Sequence, residues 1–346
     1  MPMSYQREYT EYLRVAVIGT GSHTYRNLLP TLNYLPVRLV ALCARTNATV
    51  EATAKQYGCT AYTSTKAMYE NEKPDAVFIC VSPEKHPELV AEALSYGVHV
   101  WVEKPLGVRA AQIEELISLR GELTVVVGLK KAFAPAAVKA REIAESPKYG
   151  KLSSILAVYP MTMPLDGEAQ LEQGLAPNWL KNGVHPLAFM SSVGGAAKTV
   201  TAIIGESGFG SVSIEFKNGV MGTLHLASTL QPSAESYHLF GESWQMDITG
   251  AKIELRRQGE FNYNYTSTYA PEGDDAGTIV WDLFNCVATL DNKAEFVQGF
   301  FNEMYHFCDC VLNKKAPEQG SLEQTLEVMK LYEAALVSHG KPIEII

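Results

Sequence analysis

Gly19-Thr20-Gly21-Ser22-His23-Thr24 follows an apolar run, Arg14-Val15-Ala16-Val17-Ile18, and precedes a segment with helical spacing from Tyr25 to Leu35. The first glycine permits a tight turn, and the second lets a pyrophosphate approach the backbone at the start of a helix. The usual third glycine is Thr24 here, so the pattern rests on its strand–turn–helix setting, and a plain glycine turn is the other reading. About 20 residues further on, where an acid commonly holds a ribose 2′-hydroxyl, the chain reads Ala44-Arg45-Thr46-Asn47. An acid there would repel a 2′-phosphate, whereas an arginine beside a hydroxyl can bind one through charge-assisted hydrogen bonds. These residues point to a nicotinamide dinucleotide, NADP(H) ahead of NAD(H), held by Gly19, Gly21, Ser22, His23, Thr24, Arg45 and Thr46. A solvated Arg45 at a strand end is the plain alternative.

Two further constellations follow strands of the same half of the chain. Val81-Ser82-Pro83-Glu84-Lys85-His86 comes after the run Ala76 to Val81, and Glu103-Lys104-Pro105 after His99 to Val102. The elements that must position them alternate: strands at Arg14–Gly19, Val37–Cys43, Ala76–Val81, His99–Val102 and Leu123–Gly128, with helices at Thr49–Tyr57, His86–Tyr96 and Ala110–Leu119 between them. Continuous Val/Ile runs separated by helices indicate a doubly wound parallel sheet covered on both faces. Ligands of such a sheet sit outside the carboxyl ends of its strands, where the glycine turn, Ser82, Pro83, His86, Glu103 and Lys104 all fall.

After about residue 150 the rhythm changes. Leu152–Pro160, Thr199–Gly205, Gly210–Phe216, Val220–Ser228, Tyr237–Gly241, Trp244–Thr249 and Ala251–Arg256 read as strands, with an Asn218-Gly219 hairpin turn. Consecutive strands predict a large, mostly antiparallel open sheet in an α+β domain. Phe296–Leu312 and Leu322–Ser338 read as long helices, and the polar stretch 259–277 as a loop. The expected division is a Rossmann domain over 1–128 and a substrate-binding and oligomerisation domain over 129–321. An open apolar sheet face, with Val220–Ser228 as one contributor, predicts a homodimer or homotetramer.

With these motifs together, the chain resembles the glucose–fructose oxidoreductase/inositol dehydrogenase/rhizopine-catabolism family of NAD(P)-dependent sugar oxidoreductases. The resemblance spans essentially the whole chain, and Glu103-Lys104-Pro105 is its most specific piece. Gly128-Leu129-Lys130-Lys131-Ala132-Phe133-Ala134-Pro135 is similar to the family's Gly-Phe-Asn-Arg-Arg-Phe-x-Pro stretch without its asparagine. Lys181-Asn182-Gly183-Val184-His185 is similar to its Asp-x-Gly-x-His signature, with lysine in place of aspartate. The resemblance implies that Lys104 and His185 are catalytic, Lys104 polarising the reacting oxygen and His185 acting as general acid/base. Histidine titrates near working pH, and a cation stabilises a developing alkoxide. It further implies that Lys131 contacts cofactor, and that the helix over 322–340 packs back on the first domain. Lys130, Trp179, Lys181 and Asn182 join Lys104 and His185 as candidate substrate contacts. Two lysines beside the reacting oxygen suit an anionic sugar; a solvent-facing Lys181, an ion-paired Lys104, a structural His185 and a buried Trp179 are the plain readings.

The implied reaction is hydride transfer between nicotinamide and a secondary carbinol of a sugar, cyclitol or sugar derivative. The same residues would also serve an NAD(P)-dependent glycosidase using transient oxidation and elimination, or survive in a catalytically inactive cofactor-binding regulator.

Composition narrows the remaining classes. The 346 residues, at roughly 150 per domain, suit two domains. Hydrophobic residues form 47% and charged residues 19%, an ordinary globular balance. A net charge of −9 offers no excess of cations for nucleic acid or anionic membrane. Six cysteines, several within apolar runs, read as reduced thiols, and Met1–Tyr12 has no apolar leader core, so the expected location is the cytoplasm. His306, Cys308 and Cys310 resemble a metal cluster, but a two-residue step on a helix turns by about 200° and points neighbours apart, so no metal is expected.

Overall fold

The computed structural model describes residues 9–227, 235–257, 277–282 and 292–346. The chain divides into two compact units, one of residues 1–133, 173–176 and 298–329, the other of 134–172, 177–297 and 330–346.

In the first unit, β1 (Leu13–Ile18) leads through a π-helical turn (Thr24–Leu28) into α1 (Leu29–Leu32). Then follow β2 (Val37–Cys43), α2 (Asn47–Tyr57), β3 (Thr60–Tyr62), α3 (Thr65–Glu72), β4 (Ala76–Ile79), α4 (His86–Ser95), β5 (His99–Glu103), α5 (Ala110–Leu119), β6 (Val125–Gly128) and α6 (Lys130–Phe133). The strands form one sheet in the order β3-β2-β1-β4-β5-β6, with every pair parallel. Every residue of β4 and β6 is buried, as a sheet covered on both faces requires. The expected doubly wound α/β fold is present. It has an additional edge strand, β3, whose three residues are too short and too exposed to show an apolar run.

The second unit contains α7 (Pro135–Glu145), β7 (Leu152–Tyr159), α8 (Gly167–Glu172), α9 (Asn178–Gly194), β8 (Ala197–Ile204), β9 (Gly210–Phe216) and β10 (Met221–Leu226). It continues with β11 (Ser236–Gly241), β12 (Trp244–Thr249), β13 (Lys252–Arg257), β14 (Gly277–Asp282) and α10 (Ala294–Val297). Helices α11 (Phe300–Leu312) and α12 (Leu322–Val337) and strand β15 (Ile343–Glu344) close the chain. The nine strands run β14-β13-β12-β11-β7-β10-β9-β8-β15. All neighbours are antiparallel except β7 and β10, which pair in parallel. Asn218-Gly219 does form the β9–β10 hairpin, with Gly219 at φ +89° and the Asn218 side chain donating to Gly194 O at 2.9 Å. Helix α9 covers one face of this sheet, packing on β7 and β10.

Four expectations change. The helix drawn over Phe296–Leu312 is broken at Gly299, whose φ of +92° ends α10 and starts α11. Helix α11 belongs with the first unit, where Phe307 meets Phe78 edge-on at 5.5 Å; its place after the second unit's strands concealed that return. Within α12, residues 322–329 count with the first unit and 330–337 with the second. The open sheet face is mixed rather than apolar: the register puts Leu156, Val158 and Phe240 beside His238, Asp247, Glu254 and Arg256. His238 donates to Asp247 at 2.7 Å, Arg256 pairs with both Asp247 and Glu254, and Lys252 pairs with Glu254.

Stretch 258–276, Ser228 and Cys286 lie outside the described residues; the other five cysteines are free thiols, four of them buried. Among the described residues no helix is long and apolar enough to cross a membrane, and no three His, Cys, Asp or Glu side chains converge as a metal site.

Candidate active site

The site assembles at the carboxyl ends of β1, β2, β4, β5 and β6. Gly19 follows β1 with φ +100°, and a Cβ there would meet the Cys80 carbonyl oxygen at 2.0 Å. Only glycine fits where the β1 and β4 ends converge. Gly21 differs: nothing lies within 4 Å of where its Cβ would be. Tyr25 N–H then bonds to Gly21 O at 3.1 Å, and the chain is helical from 22 to 32. An open glycine ahead of helix amides that lack intrahelical partners suits a pyrophosphate, so these residues fit a dinucleotide. Thr24, at the third position of the fingerprint, is fully buried in the helix–strand packing and supports the turn from inside.

Arg45 and Thr46 are both exposed just beyond β2. Thr46 is the N-cap of α2, yet its side chain makes no capping hydrogen bond. A guanidinium and a hydroxyl thus stand together where a ribose 2′-substituent is expected.

Glu103 ends β5, and the Lys104–Pro105 bond that follows is cis. Glu103 is buried and accepts from His23 Nε2 at 2.7 Å, and Asn27 donates to His23 Nδ1 at 3.1 Å. Burial raises the Glu103 carboxyl, but the His23 hydrogen bond and the Lys104 charge outweigh it and hold the acid below its usual range. Glu103 therefore anchors the glycine-turn histidine. His86 is also a brace. It is 1% exposed; its Nδ1–H donates to Pro105 O at 2.8 Å, and its Nε2 accepts from Val81 N–H at 3.3 Å. Burial lowers its pKa, the Pro105 bond opposing, which suits a neutral ring clamping the Ser82–Pro83 turn to the Lys104 turn. Both ring nitrogens are engaged within the fold, and exposed Ser82 and half-buried Pro83 stand at the surface of that turn.

Lys104, Lys130 and Lys131 are half-buried. Lys130 donates to Gln298 at 3.0 Å and sits 4.6 Å from the Phe300 ring centre, both at the start of α11. Burial lowers the Lys130 pKa and neighbouring Lys131 adds to this, with Glu103 and Glu303 opposing. Glu303, on the same helix, has no exposed surface. Sequence reasoning missed it, although an acid within the apolar stripe Phe300, Met304, Phe307 was a visible signal.

His185, Lys181, Asn182 and Trp179 lie on α9 of the second unit. His185 is buried, only 6% exposed, Lys181 is exposed one turn earlier, and Asn182 donates to Asn178 at 2.5 Å. Trp179 overturns an expectation. Its ring has no exposed surface, stacks on Tyr332 at 6.5 Å between centres, and donates from Nε1 to Tyr332 O at 3.5 Å, so it is core and not a sugar platform. Gly183 makes room for it, since a Cβ there would come within 2.5 Å of the indole. A cavity of about 310 Å³ in the same unit, lined by Met163, Leu165, Ile203 and Leu336, offers only His339 as a titratable group and no proton-transfer set.

Residues 13–131 match the family model described as "Oxidoreductase family, NAD-binding Rossmann fold", the span that holds the glycine turn, Glu103 and Lys104. Over that span, about the first third of the chain, the sequence is similar to this oxidoreductase family. The chain is 29% identical over 180 residues to the dTDP-3,4-didehydro-2,6-dideoxy-alpha-D-glucose 3-reductase of Streptomyces violaceoruber, covering 48% of this chain and 52% of that one. It is 25% identical over 151 residues to D-xylose 1-dehydrogenase (NADP(+)) 2 of Haloferax volcanii, covering 43% and 46%. These alignments span about half the length of the curated relatives. The crystal structure of a dehydrogenase from Chromobacterium violaceum superposes with a TM-score of 0.81 at 19% identity, covering 94% of each chain, which shows that the two-sheet fold is shared.

Proposed function

We propose that this protein transfers a hydride between a nicotinamide dinucleotide and a secondary carbinol of a sugar, cyclitol or sugar derivative. The observation that carries the reading is the meeting, at one end of the parallel sheet, of an open glycine cradle and the lysine after β5. The similarity to a sugar-nucleotide reductase and a xylose dehydrogenase supports the substrate class. A bound nicotinamide supplies the hydride acceptor or donor. Gly19 and Gly21 let the backbone approach the pyrophosphate, with Ser22 and His23 opening the helix beneath it. Lys104 directs its ammonium at the reacting oxygen and stabilises the charge that builds there. His185 takes or returns the hydroxyl proton, and Asn182, Lys130 and Lys181 contact the substrate, the lysines favouring an acidic sugar. Lys131 contacts cofactor.

Arg45 and Thr46 give NADP(H) preference over NAD(H), since both are exposed and Thr46 is not used as a cap. The mixed open face of the second sheet pairs with a second copy to give a homodimer or a tetramer of dimers, and a monomer by light scattering at micromolar concentration would remove that claim. The activity test is NADP(H) oxidation or reduction, with NAD(H) in parallel, across neutral and acidic sugars and cyclitols. A folded protein that turns over none of them fails the proposal, and equal use of both cofactors fails the preference.

A further inference from the structure

Helix α11 buries Phe300, Met304, Phe307 and Cys308, and Glu303 lies within the same stripe with no exposed surface. Among the described residues neither of its carboxyl oxygens has a hydrogen-bond partner. Burial penalises the charged form of a carboxyl held this way, and no hydrogen bond offsets that cost. Its position is specific. A Cβ on Gly128 would fall 3.4 Å from Glu303 Oε1 and 2.8 Å from the Trp101 ring, and Gly128 pairs in register with Glu103. Glu303 is therefore packed against the end of β6, beside the strand end that carries Glu103 and Lys104.

The charged groups around it come from several elements: Glu103 on β5, Lys104 in the following turn and Lys130 on α6. Lys131 acts on Lys130, and His23 reaches the cluster through Glu103 and the Phe300 ring. Burial drives the Glu303 carboxyl well above the usual range; Glu103 adds to the effect, while Lys130 and Lys104 oppose it. Glu103, also buried but hydrogen-bonded, goes the other way. Two buried carboxyls near the same strand ends are thus pushed in opposite directions.

We propose that Glu303 is a positioning residue for the lysines of this site, a buried neutral acid that withholds a second counter-charge and so leaves the field of Lys104 and Lys130 directed at the dinucleotide and the reacting oxygen. The inference rests on the dinucleotide reading above. Ionising Glu303 would add an anion beneath those lysines, cancel part of their field and weaken binding of an anionic cofactor.

The test is infrared difference spectroscopy of protein labelled at its glutamate carboxyl carbons, titrated upward from neutral pH, with Glu303→Gln and Lys130→Met alongside. At neutral pH the native protein should show a protonated carboxyl band that vanishes on alkaline titration and is missing from Glu303→Gln. In Lys130→Met its midpoint should move upward, because a cation that favours ionisation is gone. NADPH binding, followed by fluorescence, should weaken about fivefold or more across the native titration and about threefold less steeply in Glu303→Gln. Absence of the band at neutral pH, an unmoved midpoint in Lys130→Met, or an unchanged pH dependence of binding in Glu303→Gln would overturn the proposal. Should Glu303→Gln fail to fold, the native band and its shift in Lys130→Met decide the question. A protein that shows the band yet binds neither NADPH nor NADH overturns the dinucleotide reading, and this inference with it.

Discussion

The two sheets bury their strands differently. The parallel sheet is covered on both faces, with every residue of β4 and β6 buried, so only its strand ends reach a ligand. Gly19, Gly21, Arg45, Ser82, Lys104 and Lys130 all lie where the chain leaves a strand or starts the next helix. The second sheet alternates inward and outward residues, as β9 and β10 show, and leaves a whole face uncovered by α9. Even so, that face carries an ion-pair network, and the acid/base candidate His185 comes from the helix on the covered side. Covering a sheet concentrates chemistry at its ends, whereas an open face is available for association. This follows from parallel crossovers placing helices on both faces.

The largest test of that contrast is Lys104→Ala. Removing a cation beside a developing oxyanion should cost on the order of 10²–10³ in turnover while the circular dichroism stays native. Retention of more than about a third of native turnover would place the chemistry elsewhere. Next is the paired glycine test at the β1 end. Gly19→Ala would force a side chain onto a positive-φ residue and against the Cys80 carbonyl, and should lower stability by about 3 kcal/mol or more in denaturant unfolding. Gly21→Ala, with open space around it, should stay within about 0.5 kcal/mol yet weaken dinucleotide binding. Equal stability losses would show that the two glycines do the same job.

Arg45→Ala should raise the NADPH dissociation constant about tenfold, the value of one charged hydrogen bond, and leave NADH nearly unchanged. Titration calorimetry with both cofactors checks it. The smallest effect belongs to the second sheet. Burial raises the Asp247 carboxyl, but the bonds from His238, Arg256 and Gln245 outweigh it and hold the pKa below the usual carboxylate value. Its contribution is therefore present above the unfolded-state pKa and lost as pH falls through the lower folded-state value. Asp247→Asn should accordingly reduce acid sensitivity by less than about 1 kcal/mol, because the network is largely solvated. A change in turnover comparable to that of Lys104→Ala would erase the distinction between the sheets.

Much of the first unit was legible because its information is local. Val77-Phe78-Ile79 declares a doubly covered strand by itself, and a glycine turn between strand and helix declares the phosphate end. The β9–β10 hairpin was equally legible from Asn218-Gly219. What escaped depends on residues far apart in the chain. β7 and β10 pair in parallel across intervening strands and α9, which no alternation pattern encodes. The return of α11 to the first unit is written in its apolar face, but the partner, Phe78, lies far upstream.

By itself the sequence determined which residues stand at the strand ends: Gly19 and Gly21 before the first helix, Arg45 after β2, and Lys104 after β5. Those placements follow from turn chemistry and apolar runs a few residues long. The tertiary structure alone decided what state and partner each side chain has. It made Trp179 core by stacking it on Tyr332, turned His86 into a brace between two turns, and pushed the buried Glu103 and Glu303 carboxyls in opposite directions. The physical reason is that solvation and charge are set by whatever packs around a group, and here that comes from strands and helices scattered along the whole chain.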